Sequence, residues 1–391
     1  MAAVYKLKEL GKIITGNTPS MSDSQNYNSN DINFIKPSDF LDEEITSINS
    51  SEFFISEYAR YKARIVPKNT ILVTCIGNIG KIAITQKECA FNQQINAIVP
   101  DTSKIEPLFL AHAILYNKIA LNNLANNAVL PIINKKIFSD FEINIPPLEE
   151  QKNISYKLEF IRKIIILRQK QISRLDHLIK SRFVELFGDP DKNPFCWPRL
   201  AIGSVIDFCE AGWSGNGIQR VKNHGEIAVL KVSAVTKGYF IPSEYKVLED
   251  QTNIKKYVFP KKGDLLFSRA NTREMVGATA VVTQDYPEYI LPDKLWRIQF
   301  TKIVDVWYMK YILSSKSIRS IFSAVSTGTS GSMFNVSMEK FKSVVIPVPP
   351  LKLQNQFTTF VQQVDKSKFL CQFTLKRFTD ILFAQRRFLY G

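Results

Sequence analysis

The sequence predicts an α+β protein built from two tandem strand-rich domains, each followed by a long helix. Three observations predict this fold class: a strand-to-helix junction occurs twice, each junction opens a long helical pattern, and both strand-rich segments contain matching hairpins. The expected segments are a first domain, a first helix, a second domain and a second helix, at 1–147, 148–188, 189–349 and 350–391.

The duplicated junction reads IPPLEEQ at residues 145–151 and VPPLKLQ at residues 348–354. Leu148 and Leu351 are separated by 351 − 148 = 203 residues. Aligned at this offset without insertions, the two segments share identical residues at intervals as far as Gly188 and Gly391. The prolines hold the preceding residue extended and preset the first helical turn. The chain is therefore expected to contain two copies of one structural unit.

Each helical segment carries apolar residues at alternating steps of four and three, which is the 3.5-residue repeat of a coiled-coil seam. Both stripes stay narrow over about 40 residues, so we favour a pair of helices packed along their seams. The alternative is that the helices are core elements of the domains. The seam residues are Ile154, Leu158, Ile161, Ile165, Ile172, Leu175, Ile179, Phe357, Val361, Val364, Leu375, Phe378 and Leu382.

Charge and composition narrow the class of partner. The 391-residue chain has 51 Lys and Arg against 36 Asp and Glu, a net charge of +15, which favours a polyanion such as nucleic acid or an acidic membrane surface. No apolar run reaches the roughly 18 residues of a membrane span, and no signal peptide is visible, so we expect a soluble protein. Five scattered cysteines without a CxxC motif favour a reducing, cytoplasmic setting.

Motifs for catalysis or cofactor binding are missing from the sequence. GNIGK at 77–81 lacks the spacing of a P-loop, and both Pro-Pro pairs are followed by leucine instead of the aromatic residue of an amino-methyltransferase motif. His112, His177 and His224 are far apart, and no metal-ligand spacing occurs. We therefore expect no catalytic residue, no metal and no cofactor bound by this chain.

Two predicted hairpins share their strands but differ in their loops. TILVTC and KIAIT at 70–85 match DLLFS and ATAVVT at 264–283, yet the first loop offers Asn78 and Lys81 where the second offers Arg269, Asn271 and Arg273. Such side chains can pair with base edges or phosphates, although they are also typical of ordinary solvated loops.

Other polar loops extend this set of candidate DNA-binding residues. The complete set is Thr15, Asn17, Thr18, Ser20, Lys36, Ser38, Asn78, Lys81, Asn92, Gln93, Trp213, Asn216, Gln219, Arg220, Lys231, Ser233, Arg269, Asn271, Arg273 and Thr329.

Several segments, taken in order, resemble the specificity subunit of Type I restriction-modification enzymes over essentially the whole chain. They are TGNTPS, IGNIGK, FNQQINAIVP, IPPLEEQ and ELFGDPDKNPFCWPRL. The sequence departs from the family pattern in its second half, where the second junction is VPPLKLQ instead of PPLxEQ and AGWSGNG stands in place of TGNTPS.

The resemblance implies two target recognition domains held apart by two antiparallel helices, a pseudo-two-fold arrangement in which each domain reads one half of a split DNA target. Because the two domains differ in sequence, the target is expected to be asymmetric. The family's subunit recruits two modification subunits, which carry S-adenosylmethionine, and two motor-nuclease restriction subunits. No membrane partner is expected. The alternatives are a fused or stand-alone nucleic-acid enzyme and a basic coiled-coil scaffold protein.

Overall fold

The computed structural model of the chain describes residues 3–42, 44–125, 131–250, 252–328 and 333–390, with the side chains of Phe383 and of 385–390 excepted. The chain forms two compact units. Unit 1 comprises Met1–Gln169 and Phe373–Gly391, and unit 2 comprises Lys170–Gln372. Both units therefore contain part of each long helix, and the division into four segments stays a prediction.

Unit 1 combines short strands with short helices. Its strands β1 to β11 are Ala3–Lys6, Gly11–Thr15, Ile32–Ile35, Ile45–Ile48, Phe54–Ile55, Ile65–Val66, Ile71–Thr74, Ile82–Thr85, Cys89–Phe91, Ile95–Pro100 and Glu142–Ile145. Its helices α1 to α4 are Leu7–Leu10, Pro107–Tyr116, Lys118–Asn123 and Lys135–Asp140. The long helix α5 is Leu148–Phe187, and it belongs to unit 1 as far as Gln169. The strands form sheets in the orders β2-β10-β7-β8-β4, β5-β3-β9-β6 and β1-β11.

Unit 2 repeats much of this plan. Its strands β12 to β24 are Arg199–Ala201, Ile206–Ala211, Gly217–Ile218, Ala228–Leu230, Tyr245–Leu248, Leu265–Ser268, Ala270–Asn271, Thr279–Val281, Tyr289–Ile290, Leu295–Phe300, Thr327–Gly328, Phe334–Asn335 and Val345–Pro347. Its helices α6 to α10 are Ile202–Val205, Ser233–Thr236, Val306–Leu313, Lys316–Val325 and Met338–Ser343. The long helix α11 is Leu351–Tyr390, and it belongs to unit 2 as far as Gln372. The sheet orders are β13-β21-β17-β19, β14-β16-β15-β20, β18-β23-β22 and β12-β24.

The duplication is visible in strand pairing. The predicted hairpins are antiparallel pairs, β7 with β8 in unit 1 and β17 with β19 in unit 2, and their central residues are buried. In both units a parallel pair lies in the second sheet, β3 with β9 and β15 with β20. The α+β fold class and its internal repeat are thereby confirmed.

The seam residues of α5 and α11 are all buried or half-buried. In unit 2 the Phe183 and Phe357 rings are 5.4 Å apart between centroids, and Lys368 Nζ lies 2.6 Å from Asp176 Oδ1. Phe183 follows Asp176 in α5, whereas its partner Phe357 precedes Lys368 in α11. The two helices therefore run antiparallel within unit 2, as expected.

The seams also belong to the globular cores. Leu158 packs in the sheet-containing core of unit 1, against which Leu382 also packs, and Val361 packs in the core of unit 2. Leu158 and Val361 are both 0% exposed. The alternative interpretation of the helices as core elements is therefore partly right, because the same stripe serves both purposes.

The reason for the repeated junction is a buried glutamine. In unit 1 the Gln151 Oε1 accepts the Glu106 backbone N–H at 2.8 Å, and its Nε2 donates to the carbonyls of Lys104 and Pro146. A buried amide is stable only when such partners are present, because water cannot replace them. The glutamine therefore ties the first turn of α5 to the start of α2.

Gln354 makes the same three contacts in unit 2. Its Oε1 accepts the Asp305 backbone N–H at 2.7 Å, and its Nε2 donates to the carbonyls of Ile303 at 3.2 Å and Pro349 at 2.7 Å. Asp305 in turn caps α8 through the N–H groups of Trp307 and Tyr308. Helix start and helix cap are thus joined in one hydrogen-bonded group.

Among the described residues, no helix is long and apolar enough to cross a membrane.

We expect Gln354→Leu to destabilise the protein, because a side chain of similar size would leave one N–H and two carbonyls without partners. Each such group costs about 1–3 kcal/mol in the free energy of unfolding. Gln363→Leu is the matched control, since Gln363 is exposed on the same helix and its substitution should change this free energy by about 0.5 kcal/mol or less. Urea unfolding measures both, and equal losses in the two variants would contradict the role of the buried amide.

Candidate nucleic-acid interface

The candidate loops of unit 1 meet at one edge of the β2-β10-β7-β8-β4 sheet. β10 is antiparallel to both β2 and β7, and β7 is antiparallel to β8. The end of β2 at Thr15, the start of β10 at Ile95, the end of β7 at Thr74 and the start of β8 at Ile82 therefore lie at the same edge. We call the loops that leave these four strand ends loop edge 1.

The second sheet of unit 1 adds two more candidates to loop edge 1. Because β3 and β9 are parallel, Ile35 and Phe91 end their strands side by side, and the Asn92 N–H donates to the Ile35 carbonyl at 3.1 Å. Lys36 and Ser38 follow β3 directly, so they lie beside the Asn92 loop.

Some residues of loop edge 1 face solvent and others shape the loops. The Thr18 hydroxyl donates to Gln93 Oε1 at 2.7 Å, and both residues are exposed. Asn17, by contrast, donates to the Lys62 carbonyl at 2.7 Å and accepts the Arg64 N–H at 2.8 Å. Asn92 is buried and accepts the Gln94 N–H. Asn17 and Asn92 therefore position the loops.

Thr15 and Ser20, the remaining candidates of this loop, each make a side-chain hydrogen bond within the protein. Thr15 donates to Asn96 Oδ1 at 2.6 Å, while the exposed Ser20 shares a hydrogen bond with the Ser22 hydroxyl. The Arg64 guanidinium donates to the Thr15 carbonyl at 2.5 Å, which places a cation at loop edge 1 that the sequence did not single out. Arg64 and Thr15 are far apart in the sequence, so no local sequence pattern predicted this contact.

A carboxylate accompanies the hairpin loop. Lys81 Nζ lies 2.7 Å from Asp42 Oδ1, and Asn78 Nδ2 donates to the same oxygen at 3.3 Å. The hydrogen bond from Lys81, followed by its charge, holds the pKa of Asp42 below its usual value. Lys36 instead places its ammonium 3.1 Å from the centroid of the Phe53 ring. Lys81 is therefore neutralised locally, whereas Lys36 is held by an aromatic face.

Unit 2 assembles its loops in the same way. The end of β13 at Ala211, the start of β21 at Leu295, the end of β17 at Ser268 and the start of β19 at Thr279 share one sheet edge. We call the loops that leave these ends loop edge 2. The β18-β23-β22 sheet adds further residues, because Asn271 pairs with Phe334, which in turn pairs with Gly328.

Asp293 connects three loops of loop edge 2. Its backbone carbonyl accepts Arg269 Nε at 2.8 Å, and its carboxylate lies 3.5 Å from another nitrogen of the same guanidinium. Ser214, from the AGWSGNG loop, donates its hydroxyl to the same carboxylate. Sequence reasoning missed Asp293, because an isolated aspartate beside a proline carries no motif.

Arg273 lies in the hairpin loop that also carries Arg269, and it is exposed. Its guanidinium lies 5.5 Å from the centroid of the Phe334 ring, a cation–π distance. No carboxylate lies within ion-pair distance of Arg273 among the residues that the structure describes. Arg273 is thus the arginine of this loop that remains available to an outside anion.

Two further cations beside loop edge 2 are paired. Lys231 Nζ lies 2.8 Å from Glu244 Oε2, which also accepts the Ser233 hydroxyl, and Lys231 also donates to Gln219.

Arg220 donates two hydrogen bonds to Glu226, at 2.8 and 2.6 Å. The hydrogen bond from Arg220, followed by that from the Asn223 backbone, lowers the pKa of Glu226 to about 2. Arg220 is therefore already engaged by a carboxylate in the free chain.

The last candidates differ in exposure. Trp213 is half-buried against a small hydrophobic cluster that contains Val229 and Ile290, whereas Asn216 is exposed. Thr329 lies outside the described residues. Within the described ranges no group of three or more His, Cys, Asp or Glu side chains is placed to hold a metal ion. Both loop edges thus present amides, hydroxyls and cations suited to polar recognition of a polyanion.

The chain is similar to known proteins over most of its length. Residues 2–177 and 202–372 match the family model of the Type I restriction modification DNA specificity domain. The specificity subunit of the Type I restriction enzyme MjaIX from Methanocaldococcus jannaschii is 25% identical, covering 89% of this chain and 83% of that protein. The EcoKI specificity subunit of Escherichia coli is also 25% identical, covering 77% and 68% of the respective chains.

Solved structures show the same fold. The S subunit of a Type I restriction-modification system from M. genitalium superimposes with a TM-score of 0.59 at 13% identity, covering 100% of this chain and 96% of that one. A chain from a study of assembly and conformational transition of the Type I system gives a TM-score of 0.57 at 17% identity, with 99% and 96% covered. The two matched domains span most of the sequence, and the chain belongs to the Type I restriction-modification DNA specificity family.

Proposed function

We propose that the chain is the DNA-recognition subunit of a Type I restriction-modification complex, in which loop edge 1 and loop edge 2 each read one part of a two-part asymmetric target. One observation carries this proposal: in both units the same strand ends gather polar loops, and the loops differ while the strands correspond. A shared scaffold with different side chains is what two readers of different sequences require.

The exposed side chains suit both parts of DNA binding. An arginine such as Arg273 can bind guanine through two hydrogen bonds or contact a phosphate, and an amide such as Gln93 can bind adenine. The net charge of +15 supports the sequence-independent part of binding through release of counterions. The net charge thus contributes to the affinity for any DNA, and the base contacts add to the affinity for the target.

The chain acts in this proposal without catalysis of its own. Two modification subunits would carry S-adenosylmethionine and transfer the methyl group, and two restriction subunits would cut the DNA. The family match and the names of the relatives, each a specificity subunit, support this division of labour. The specificity chain would then supply the address and the others the chemistry.

Arg273→Ala is expected to weaken DNA binding in one of two distinguishable ways. Loss of a base contact should cost about 1–3 kcal/mol and relax only the half-site read by unit 2, while loss of a phosphate contact should weaken all sequences alike. Lys302→Ala is the control, because Lys302 is exposed and follows the far end of β21. Binding to libraries randomised in one half-site at a time measures both effects. Unchanged affinity, salt dependence and preference would remove this loop from the interface.

Asp42→Asn is expected to increase binding to DNA that lacks the target. Without the carboxylate, Lys81 can pair with a phosphate, so the slope of log affinity against log salt should steepen by about 0.9. Asp101→Asn removes the same charge next to Lys104, beyond the opposite end of β10, and should leave the slope unchanged. Equal changes in both variants would indicate a general charge effect and contradict a specific role of loop edge 1.

The isolated chain is expected to transfer no methyl group from labelled S-adenosylmethionine to DNA, and addition of the modification subunit should establish methylation of the target. The physical reason is that the sequence lacks a methyltransferase motif. Methyl transfer by the purified chain alone, persisting after further purification, would refute this division of labour.

A further inference from the structure

Unit 2 contains a cleft of about 760 Å³ that the proposed reading of bases does not use. The cleft lies between α8, the start of α9 and parts of α5 and α11, and its volume is in the range of small-molecule sites. Its lining is rich in cations, which are Lys180, Lys237, Lys310, Lys316, Arg319 and Lys368. The acidic side chains of the lining are Asp176 and Asp189, so the cleft carries an excess of positive charge.

Not every cation of the cleft has a carboxylate partner. Lys368 Nζ forms an ion pair with Asp176 Oδ1 at 2.6 Å and also lies 3.8 Å from Asp365 Oδ1. Among the described residues, neither Lys310 nor Arg319 has a carboxylate within ion-pair distance, and Arg319 donates to the Glu274 carbonyl at 2.5 Å. Lys310 and Arg319 can therefore form an ion pair with an anion that enters the cleft.

Lys310 is half-buried in the wall of the cleft. It leaves α8 with its ammonium 3.7 Å from the centroid of the Tyr311 ring. Burial lowers the pKa of Lys310 to about 8, with Lys368 and Lys180 acting in the same direction and Asp365 and Asp176 opposing them. A partly dehydrated ammonium with no carboxylate at ion-pair distance is stabilised by an anion that reaches it.

The start of α9 adds hydrogen-bond donors to the same cleft. This helix runs for 10 residues, and the Ser315 side chain caps it by accepting the Ile318 N–H. The N–H groups of Lys316 and Ser317, for which an α-helix provides no carbonyl, are left in the first turn to favour an anion. Ser314, Ser315 and Ser317 line the cleft beside this turn, and Ser314 is exposed. The Ser315 hydroxyl donates to the Ile312 carbonyl at 2.7 Å, and the Ser314 hydroxyl bonds to that of Thr279 at 2.8 Å. The helix N–H groups and the cations are therefore the donor set suited to phosphate oxygens.

We propose that this cleft is a phosphate-binding site in which Lys310 and Arg319 neutralise the ligand and the first turn of α9 donates hydrogen bonds to it. The phosphate can belong to a small phosphorylated molecule or to the backbone of bound DNA. The second source rests on the proposed function, whereas the first is independent of it.

The first arm of the test is a calorimetric titration of the full chain with inorganic triphosphate at constant ionic strength and pH 7. Wild type is expected to bind, and Lys310→Met should lose at least about tenfold in affinity, because methionine keeps the length of the side chain without its charge. Lys310→Arg should restore part of the affinity. Lys302→Met is the matched control, because Lys302 is exposed and lies four residues before α8, and this variant should bind as wild type.

The pH dependence follows from the ammonium. Triphosphate binds the charged form of Lys310, so the affinity of wild type should fall as the pH rises through about 8, and Lys310→Met should lack this decline. Tyr311, Asp365, Lys368, Asp176 and Lys180 face the same ammonium, and they are unchanged in the variant.

The second arm measures binding of a duplex without the target at several salt concentrations. A salt slope reduced by about one in Lys310→Met, without triphosphate binding by wild type, would identify the DNA backbone as the source of the phosphate. Triphosphate binding with an unchanged DNA slope would identify a small phosphorylated ligand. If Lys310→Met and Lys302→Met match wild type in both arms, the cleft is not a phosphate site. The triphosphate arm needs no target recognition, so its outcome is separate from that of the proposed function.

Discussion

The buried glutamine of each junction is the constraint on which the rest of each unit depends. Gln151 and Gln354 saturate one N–H and two carbonyls where a proline-rich segment turns into a long helix. Because the amide is buried, any change in the direction of the helix would break several hydrogen bonds without replacement by water. The start of the long helix and the start of α2 or α8 are therefore fixed relative to each other within the unit.

With that start fixed, the order of the strands decides which loops can act together. In both units the strand equivalent to β10 lies between the strands that end in the glycine-containing loop and in the hairpin, so loops distant in sequence leave one edge. The scaffold tolerates change even in its interior. Thr70 of unit 1 is replaced by Asp264 in unit 2, which is fully buried and bound by Arg297 at 2.7 Å and Gln299 at 2.8 Å. Compensation within one hydrogen-bonded group preserves the strand and leaves the loops free to diverge.

The sequence predicted the parts of the fold that repeat with a period. The helices and hairpins follow from spacing, and the junction follows from internal identity, since local pattern determines each of them. The site was predicted less completely, because its contacts join residues far apart in the chain. Arg64 reaches Thr15 and Asp293 reaches Arg269 through the sheet order, which no local pattern encodes. Asn17 and Asn92 match the expected polar type, yet their amides bind backbone groups, those of Lys62 and Arg64 for Asn17 and that of Gln94 for Asn92.

The pairing of cations with acids changes how the charge of +15 can act. Lys81, Arg220, Lys231 and Arg269 each have a carboxylate partner, so a phosphate must displace that partner before it gains the full attraction. The exchange replaces one charge-assisted contact by another, and its net gain is therefore smaller than that of an unpaired cation. Arg273 and Lys36, which lie against aromatic rings, require no such exchange. If the loop edges read DNA as proposed, this pairing would make their binding to random DNA weak, and the energetic difference between sequences would come from the few contacts that the correct bases add.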